Sequence, residues 1–393
     1  MFRFASPPPL SLYVHFPWCV RKCPYCDFNS HALRDDLDEE QWIDALLADL
    51  DRELPAVAER QLESIFLGGG TPSLFRPQRI ARLLTEVRAR FAVAGDCEIT
   101  LEANPGTVEQ GRFREYREAG VNRLSLGIQS FDDDRLRALG RIHDGREART
   151  AVEAAHGAGF PELNLDLMFA LPGQTLAQMQ ADLDQAIALS PSHLSFYQLT
   201  IEPNTAFAHQ PPPLPDEDTA FAMLTRAREQ LQAAGFEAYE ISAWSRPGHR
   251  CRHNLNYWKF GDYLGIGAGA HGKITDVRAG CIRRRAKPRN PRDYLRAVCN
   301  GNGEPPGSTR TLTPADARFE FLLNALRLTD GFDIATFEAR TGLAWPATDP
   351  ALATALDEGW LEQSGTHLRP TERGRLFLND LQALFLPEND NAH

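Results

Sequence analysis

Apolar runs alternate with amphipathic segments along the first 200 residues or so of the chain. The apolar runs predict strands at 11–16, 64–69, 98–103, 123–129, 163–171 and 193–201. The amphipathic segments predict helices at 40–54, 77–91, 108–119, 132–139, 146–158, 175–189 and 216–234. Strict strand–helix alternation is typical of a parallel sheet with helical crossovers, and uninterrupted apolar runs predict strands that are buried on both faces.

Chemically distinctive residues stand in or just after nearly every predicted strand. They follow the strands in chain order: a group of cysteines, GGGTPS (68–73), EANPG (102–106), GIQSF (127–131), Asp166 and Tyr197. A barrel produces this distribution because its βα loops build one site on one face, whereas a doubly wound sheet would concentrate such residues at one switch point. Since only six units are visible, we predict a partial (β/α)6 barrel.

The pattern changes after about residue 205. A further strand is predicted at 236–244, a Gly- and aromatic-rich segment follows at 253–272, and the basic run at 283–292 predicts a solvated loop. From about 311 the pattern is helical and ends in a helix, a two-stranded wing and a last helix. We therefore predict a barrel at 1–235, an additional strand and connecting segment at 236–308, and a C-terminal helical, winged-helix-like domain at 309–393.

Charge and hydropathy exclude several classes of protein. The net charge of -11 argues against a dedicated nucleic-acid binder. No apolar stretch reaches the length of a membrane-spanning helix, and the start MFRFASPPPL lacks the apolar region of a signal peptide. With seven cysteines, an odd number, a disulfide framework is not expected. We expect a cytoplasmic protein.

Three of the cysteines fall within eight residues, at Cys19, Cys23 and Cys26. Three thiolates in a short loop can hold three corners of a cubane iron–sulfur cluster and leave one iron without a protein ligand. Zinc is the main alternative, although structural zinc sites prefer two paired ligand groups and the chain lacks a second such pair. Because His15 or His31 can supply a fourth ligand, the zinc alternative stays open.

The cysteine loop CVRKCPYC, followed by GGGTPS, resembles the radical S-adenosylmethionine (SAM) superfamily. EANP, GIQSF, LNLDLMFALPGQT and LTIEPNT resemble the branch that contains the oxygen-independent coproporphyrinogen III oxidases and the heme chaperones of the HemW family. The resemblance covers the chain from about residue 10 onward and implies a [4Fe-4S] cluster whose open iron binds SAM. The residues that it assigns to SAM are Tyr13, Tyr25, Gly69, Gly70, Thr71, Glu102, Gln129, Arg141 and Asp166.

Two departures from the oxidase pattern favour the chaperones. Phe28 stands where the oxidase has a further cysteine, and the chain starts almost directly at the first strand, without the oxidase's N-terminal extension. In addition, HNLNYW (253–258) matches the HNxxYW motif of the HemW family. An imidazole can ligate heme iron, and aromatic rings can pack on the macrocycle. The resemblance thus implies that heme is bound by His253, as iron ligand, and by Asn254, Tyr257 and Trp258.

The function implied by the resemblance is that of a heme chaperone. Such a protein binds heme and a SAM-coordinated [4Fe-4S] cluster and transfers the heme to an acceptor protein. The predicted acceptor is a membrane-bound respiratory enzyme. Peripheral membrane association and a homodimer belong to the same expectation, whereas oxidase activity and a nucleic-acid partner do not. The alternatives are an oxygen-independent coproporphyrinogen III oxidase and a zinc-stabilised interaction protein. Cys251 is a second, weaker candidate for the heme iron.

Overall fold

Six consecutive strand–helix units begin the fold in this computed structural model, which describes residues 2–33, 37–57, 59–106, 110–300 and 303–387. The strands are β1 (Leu10–Phe16), β2 (Gln61–Gly69), β3 (Ala92–Ala103), β4 (Arg123–Gln129), β5 (Glu162–Phe169) and β6 (His193–Gln198). The helices are α1 (Glu39–Glu53), α2 (Pro77–Arg90), α3 (Phe113–Glu118), α4 (Asp133–Ala138), α5 (Gly145–Gly157), α6 (Leu176–Ala188), α7 (Ala206–His209) and α8 (Glu217–Ala233). The start predicted for α3, at 108, lies outside the described residues.

Strands β1 to β6 are parallel throughout and are neighbours in chain order. Their side chains alternate between the concave interior of the sheet and the helices outside it, and nearly all of them are buried on both faces. Leu12 and Val14 of β1, for example, are fully buried in the main hydrophobic core. This arrangement is the partial (β/α)6 barrel expected from the strand–helix alternation.

The segment after α8 extends the same sheet at both edges. Its elements are β7 (Glu237–Glu240), β8 (Ala243–Ser245), α9 (Arg252–Trp258), β9 (Asp262–Ile266), β10 (His271–Asp276), β11 (Cys281–Ala286), α10 (Pro291–Asn300) and β12 (Ser308–Thr311). The order across the twelve strands is β12-β11-β10-β9-β1-β2-β3-β4-β5-β6-β8-β7, with β9 parallel to β1. The single strand predicted at 236–244 is two short strands, because a turn at residues 241–242 reverses the chain between them.

The basic run at 283–292 is not the solvated loop that we expected. Its first residues form β11, and Arg284 pairs with Glu320 at 2.5 Å. Lys287 is 3% exposed and donates hydrogen bonds to Asp49 at 2.6 Å and to Glu53 at 2.7 Å, both on α1. The sequence pattern misled because the acidic partners of these cations lie on elements far away in the chain.

A helical module with a small sheet follows. Its elements are α11 (Pro314–Ala325), β13 (Phe332–Asp333), α12 (Ile334–Thr341), α13 (Pro350–Asp357), β14 (Leu361–Ser364), β15 (His367–Pro370), α14 (Glu372–Leu376) and α15 (Leu378–Ala383). The three strands pair in the order β13-β15-β14, which includes the expected two-stranded wing. Phe260 and Phe2 join the hydrophobic core of this module. Within the described ranges, none of the helices is long and apolar enough to cross a lipid bilayer.

The buried Lys287 gives a test of this architecture. We expect Lys287→Ala to lower the free energy of unfolding by about 3–5 kcal/mol, because it leaves the carboxylate of Asp49 buried without its cation, while Glu53 keeps its ion pair with Arg285. Urea denaturation measures the change. Arg292→Ala is the matched control, since Arg292 lies in the same basic run and is exposed; it should cost less than about 0.5 kcal/mol. Equal effects of the two substitutions would contradict the buried pairing.

Candidate functional site

The cysteine loop leaves the C-terminal end of β1 and is tied to the strand that follows. The amide of Gly70 donates to the carbonyl of Phe16 at 2.6 Å, and the amide of Thr71 donates to the carbonyl of Trp18 at 2.7 Å. Inside the loop, residues Trp18–Cys19 and His31–Ala32 form a short parallel pair. The GGGTPS motif therefore fixes the start of the loop through its backbone.

Two positions of this motif require glycine because other atoms lie close to their Cα atoms. A Cβ on Gly70 would lie 2.5 Å from the carbonyl oxygen of Trp18, nearer than real Cβ atoms come to another heavy atom. Gly69 has φ +113°, a backbone conformation that L side chains rarely adopt, and a Cβ there would lie 2.6 Å from the ring of His15. The cysteine loop and the end of β2 can thus pack together only if these positions carry no side chain.

The three cysteines are free and partly exposed, as cluster ligands must be before they bind iron. Burial raises the pKa of Cys19 and Cys26 above the usual range of a thiol. Among the described residues, no three His, Cys, Asp or Glu side chains converge closely enough to hold a single metal ion. The thiolates of a cubane each bind a different iron and so stand further apart than the ligands of one ion.

His15, the first candidate for a fourth zinc ligand, has both ring nitrogens engaged. Nδ1 lies 3.0 Å from the Tyr13 hydroxyl, and Nε2 lies 2.9 Å from the carbonyl oxygen of Asn29. The side chain of Asn29 donates in turn to the carbonyl oxygens of Ala268 and Arg289 at 2.8 and 2.9 Å. His15 thus acts as a support beneath the cysteine loop.

A cavity of about 490 Å³ opens beside the cysteines at the C-terminal ends of the strands. All three cysteines line it, together with eight of the nine residues that the resemblance assigns to SAM: Tyr25, Gly69, Gly70, Thr71, Glu102, Gln129, Arg141 and Asp166. The ninth, Tyr13, lies deeper in the barrel, between His15 and His253. The structure brings the predicted residues together around a cavity of a size suited to a small molecule.

Glu102 is a buried carboxyl group at the edge of this cavity. Its Oε2 accepts a hydrogen bond from the amide of Gly69 at 3.0 Å, so the side chain supports the glycine loop and does not cap a helix. Burial, with the nearby Asp166 as a second cause, raises the pKa of Glu102 to about 8. Such a carboxyl gains stability from a cationic ligand, and the ammonium group of SAM has the required charge.

Asp166 and Arg141 use different partners. Asp166 accepts from the hydroxyl of Ser125 at 3.1 Å and from Nδ2 of Asn164 at 2.8 Å, and burial raises its pKa. The guanidinium group of Arg141 donates to Oδ1 of Asn104 at 2.7 Å and to the carbonyl oxygen of Gly127 at 2.7 Å. Its other terminal nitrogen lies 3.7 Å from Sγ of Cys23.

Gln129 ends β4 with φ 69°, a conformation that is uncommon outside glycine. Its Oε1 accepts a hydrogen bond from the Tyr197 hydroxyl at 2.9 Å, so the amide is held over the cavity by a side chain of β6. Backbone strain of this kind concentrates at functional sites.

Several residues of the site stand outside the sequence motifs or were not predicted as ligands. Asn104, Ser125, Asn164 and Ser195 line the cavity or bind a residue that does. The signal was the two-residue period of a strand, which places Ser125 on the same face as Gln129 and Asn164 on the same face as Asp166. Polar residues at such positions of an otherwise apolar strand point into the barrel.

The HNLNYW motif forms α9, which covers the other end of the barrel. Nδ1 of His253 lies 3.1 Å from the Ser64 hydroxyl, in the N-terminal half of β2. The imidazole packs against the ring of Phe66, with 4.9 Å between ring centroids, and lies 6.3 Å from the ring of Tyr13. Burial lowers the pKa of His253 to about 4, so the imidazole is neutral at physiological pH.

A carboxylate on strand β3 caps the N-terminus of α9. Glu98 of β3 accepts hydrogen bonds from the amides of Arg252 and His253, each at 3.0 Å, and from the thiol of Cys251 at 3.2 Å. Burial, followed by the charge of Glu98, raises the pKa of Cys251. This thiol is held protonated and is a poor ligand for heme iron, which binds thiolate.

The remaining members of the motif lie on different sides of α9. Tyr257 is exposed, and its ring meets that of Trp258 edge to face with 5.1 Å between centroids. The guanidinium group of Arg327, from the C-terminal module, lies 4.5 Å above the ring of Trp258. Nδ2 of Asn254 lies 3.5 Å from the hydroxyl of Tyr239. The motif residues thus share one helix but do not line the cavity beside the cysteines.

Comparison with known proteins shows which family the chain belongs to. A sequence model of the Radical SAM superfamily matches residues 13–186, and one of the HemN C-terminal domain matches residues 312–377. The heme chaperone HemW of Escherichia coli (strain K12) is 49% identical over 381 residues, which cover 97% of this chain and 99% of that protein. The chain belongs to the HemW family. The HemW of Bacillus subtilis (strain 168) is 32% identical over 96% of the chain and 99% of that protein.

This chain shares its fold with an oxidase of known structure. The solved structure of coproporphyrinogen III oxidase (HemN) from Escherichia coli, described as a radical SAM enzyme, matches with a TM-score of 0.82 over 96% of this chain and 90% of that one. At 24% identity this likeness shows the fold alone. The predicted family and the predicted fold class are confirmed. Membership of the radical SAM superfamily implies a [4Fe-4S] cluster and SAM as cofactors.

The glycine contacts can be tested by adding a methyl group. We expect Gly70→Ala to lower the free energy of unfolding by about 1–3 kcal/mol, because the Cβ would push against the backbone of Trp18. The same displacement should lower the iron and sulfide content after anaerobic reconstitution. Gly95→Ala is the control, since a Cβ there meets nothing within 4 Å. Normal iron content in Gly70→Ala would contradict the role assigned to this contact.

The raised pKa of Glu102 predicts how stability depends on pH in the protein without SAM. The carboxyl keeps its proton in the folded state up to about pH 8 but loses it near 4.5 when unfolded, so folding stability falls as pH rises through this window. The slope for one such group is at most about 1.4 kcal/mol per pH unit. Glu102→Gln removes this loss, and its advantage over wild type in urea denaturation should grow from pH 5 to 8. A difference that is constant with pH would contradict the assignment.

Proposed function

We propose that the protein is a heme chaperone that binds heme at α9, binds a SAM-coordinated [4Fe-4S] cluster at the cysteine loop, and transfers the heme to an acceptor protein. Relatives named heme chaperone HemW, up to 49% identical over nearly the whole chain, support the general function. The sites are proposed from the geometry of the chain's own residues.

The observation that carries the heme site is the hydrogen bonding of His253. The Ser64 hydroxyl donates to the Ser11 hydroxyl at 2.8 Å, so its oxygen is left to accept from Nδ1–H of His253 at 3.1 Å. Nδ2 of Asn256 also donates to Ser11, at 2.9 Å. This series of hydrogen bonds fixes the tautomer of His253 in which Nδ1 carries the proton and Nε2 carries the lone pair. A neutral imidazole with one nitrogen oriented by a hydrogen bond is the arrangement that metal-ligating histidines use.

The aromatic residues of α9 support the same site. Tyr257 is exposed and Trp258 lies beside it, so the helix presents apolar area next to the proposed iron ligand. A heme is a large apolar disc with two anionic propionates, and aromatic side chains cover such a surface well. Arg327 is stacked on Trp258 and paired with Glu240 at 3.1 Å, which places a guanidinium group near this surface. We propose that Asn254, Tyr257 and Trp258 contact the heme that His253 ligates.

The cofactors are proposed at the opposite end of the barrel. Cys19, Cys23 and Cys26 would hold the [4Fe-4S] cluster, which supplies an iron with an open coordination position for SAM. Glu102 would accept the ammonium group of SAM, and its own bond to Gly69 keeps the carboxyl in place. The remaining residues that the resemblance assigns to SAM line the same cavity, Tyr13 excepted. They would orient the adenosine and exclude water from the cluster.

The acceptor, the location and the assembly state are proposed from family membership. The acceptor is a respiratory enzyme in the membrane, which the protein meets from the cytoplasm, and two copies of the chain form the working unit. Oxidase activity is not proposed. Phe28, whose side chain is exposed at the rim of the cavity beside the cysteines, is an aromatic hydrocarbon and cannot replace the thiol that the oxidase carries at this position.

Hemin titration tests the proposal. After anaerobic reconstitution of the cluster, wild type and His253→Ala are titrated with hemin, and the Soret band is followed. We expect His253→Ala to weaken binding by about tenfold or more, because the axial iron ligand is lost. His249→Ala is the matched control: this histidine belongs to the same segment, and its Nδ1 bonds to Glu162 at 2.7 Å. Its hemin affinity should stay at the wild-type level.

A parallel assay separates the chaperone from the oxidase. The reconstituted protein receives SAM, a reductant and coproporphyrinogen III, and the porphyrin products are analysed after oxidation. The proposal expects no decarboxylated product. Turnover to protoporphyrinogen IX would overturn it, and so would equal hemin affinity in wild type and His253→Ala. Transfer of heme from the loaded protein to a heme-free respiratory enzyme in vesicles would identify the acceptor.

A further inference from the structure

A line of buried polar side chains runs through the barrel from α9 to the SAM cavity. From the cavity end, Nδ2 of Asn164 donates to Asp166 at 2.8 Å, and Oδ1 of Asn164 lies 2.6 Å from Nδ1 of His193. Nε2 of His193 lies 2.8 Å from the hydroxyl of Tyr239, which Nδ2 of Asn254 reaches at 3.5 Å. Asn254, at one end of the line, belongs to the HNLNYW motif. Asp166, at the other end, lines the cavity beside the cysteines.

The hydrogen bonds of this line all point the same way. Because Nδ2 of Asn164 donates to Asp166 and to the hydroxyl of Ser125, its Oδ1 must be the acceptor from Nδ1–H of His193. Nε2 of His193 then carries a lone pair and accepts from the Tyr239 hydroxyl. Every donor is directed towards Asp166, and each bond fixes the tautomer or rotamer that the next one needs.

The three central residues of the line are buried, so the loss of any of their hydrogen bonds is costly. Asn164, His193 and Tyr239 are 4%, 1% and 1% exposed. Burial, with Arg123 as a second cause, holds the pKa of His193 well below its usual value, so the ring stays neutral and can be both donor and acceptor. A buried polar group that loses its partner has no water to replace it. Movement of any member therefore passes to its neighbours.

We propose that Asn164, His193 and Tyr239 are positioning residues: they fix the Asp166 carboxylate for SAM and join it to α9, so that heme and SAM affect each other's affinity. The identity of the two ligands rests on the proposed function. Heme bound at His253 would shift α9. This helix carries Asn254, the residue at the end of the line. By linkage, a change in SAM affinity caused by heme must equal the change in heme affinity caused by SAM.

A positioning role and a purely structural role of the line predict different effects on SAM affinity. If the line only stabilised the barrel, breaking it would lower the unfolding midpoint and leave the affinity of the folded protein for SAM unchanged. If it positions Asp166, SAM affinity falls in protein that is folded and carries its cluster. The hydrogen bond from Asn164 to a carboxylate is of the charge-assisted kind, so its loss should be felt strongly.

The test uses the full chain with its cluster reconstituted. Two variants break the line at different places: Asn164→Leu next to Asp166, and Tyr239→Phe next to α9. Tyr294→Phe is the matched control, because Tyr294 is also a fully buried tyrosine whose hydroxyl bonds to a carboxylate, that of Asp49 at 3.0 Å, outside the line. For each protein, iron content and the unfolding midpoint are measured first. SAM affinity is then measured by equilibrium dialysis, with and without hemin.

We expect SAM affinity to fall about tenfold in Asn164→Leu and about threefold in Tyr239→Phe, and to stay within about twofold in Tyr294→Phe. Hemin should change SAM affinity in wild type and in the control but not in Tyr239→Phe. The inference is overturned if both line variants keep wild-type SAM affinity, or if the effect of hemin survives in Tyr239→Phe. Should Asn164→Leu fail to fold, Tyr239→Phe decides alone. Wild type that binds no hemin overturns the proposed function, while the SAM arm still decides the positioning role.

Discussion

The parallel pairing of β1 with β2 on one side and with β9 on the other is the interaction on which both ends of the molecule depend. Phe16 pairs with Gly69, which brings the cysteine loop against the GGGTPS motif. Leu10 pairs with Asp262, which brings the segment that contains α9 to the start of the same strand. One seven-residue strand thus places the two sets of candidate site residues at its two ends. A shift of register by one residue would turn its interior side chains outward.

The interior of this barrel contains several ionisable groups, and their burial affects the stability of the fold. Glu98, Glu102 and Asp166 all lie inside the sheet, where an isolated charge is costly. Glu98 satisfies its oxygens with the amides of α9, and Asp166 does so with Asn164 and Ser125. Glu102, by contrast, accepts only the amide of Gly69 among the bonds that the described residues make to it, and its pKa is raised accordingly. The carboxyl left least satisfied by the protein is therefore the one best placed to receive a cationic ligand.

Much of the fold and of one end of the site could be predicted from the sequence. Period and alternation identify the six units because those signals are local, and the cysteines and glycines stand at strand ends where a parallel barrel must bring them together. Other features depend on contacts that no local pattern encodes. The pairing of β9 with β1 joins segments some 250 residues apart, and the strand that carries Arg284 is stabilised by Glu320 of another element. Likewise, α9 is too short to form alone and receives its cap from Glu98, 154 residues earlier in the chain.

The two groups of candidate site residues occupy opposite ends of the barrel. In barrels of this kind, catalytic and cofactor residues occupy the C-terminal ends of the strands, and the N-terminal ends mainly serve stability. Here the N-terminal end carries α9, so the family motif occupies a place where it does not compete with the cofactor cavity. No described residue of the motif lines that cavity, so other side chains lie between His253 and the cavity. The interior of the barrel thereby holds a line of buried hydrogen bonds, from Asn254 to Asp166, that joins α9 to the cavity beside the cysteines.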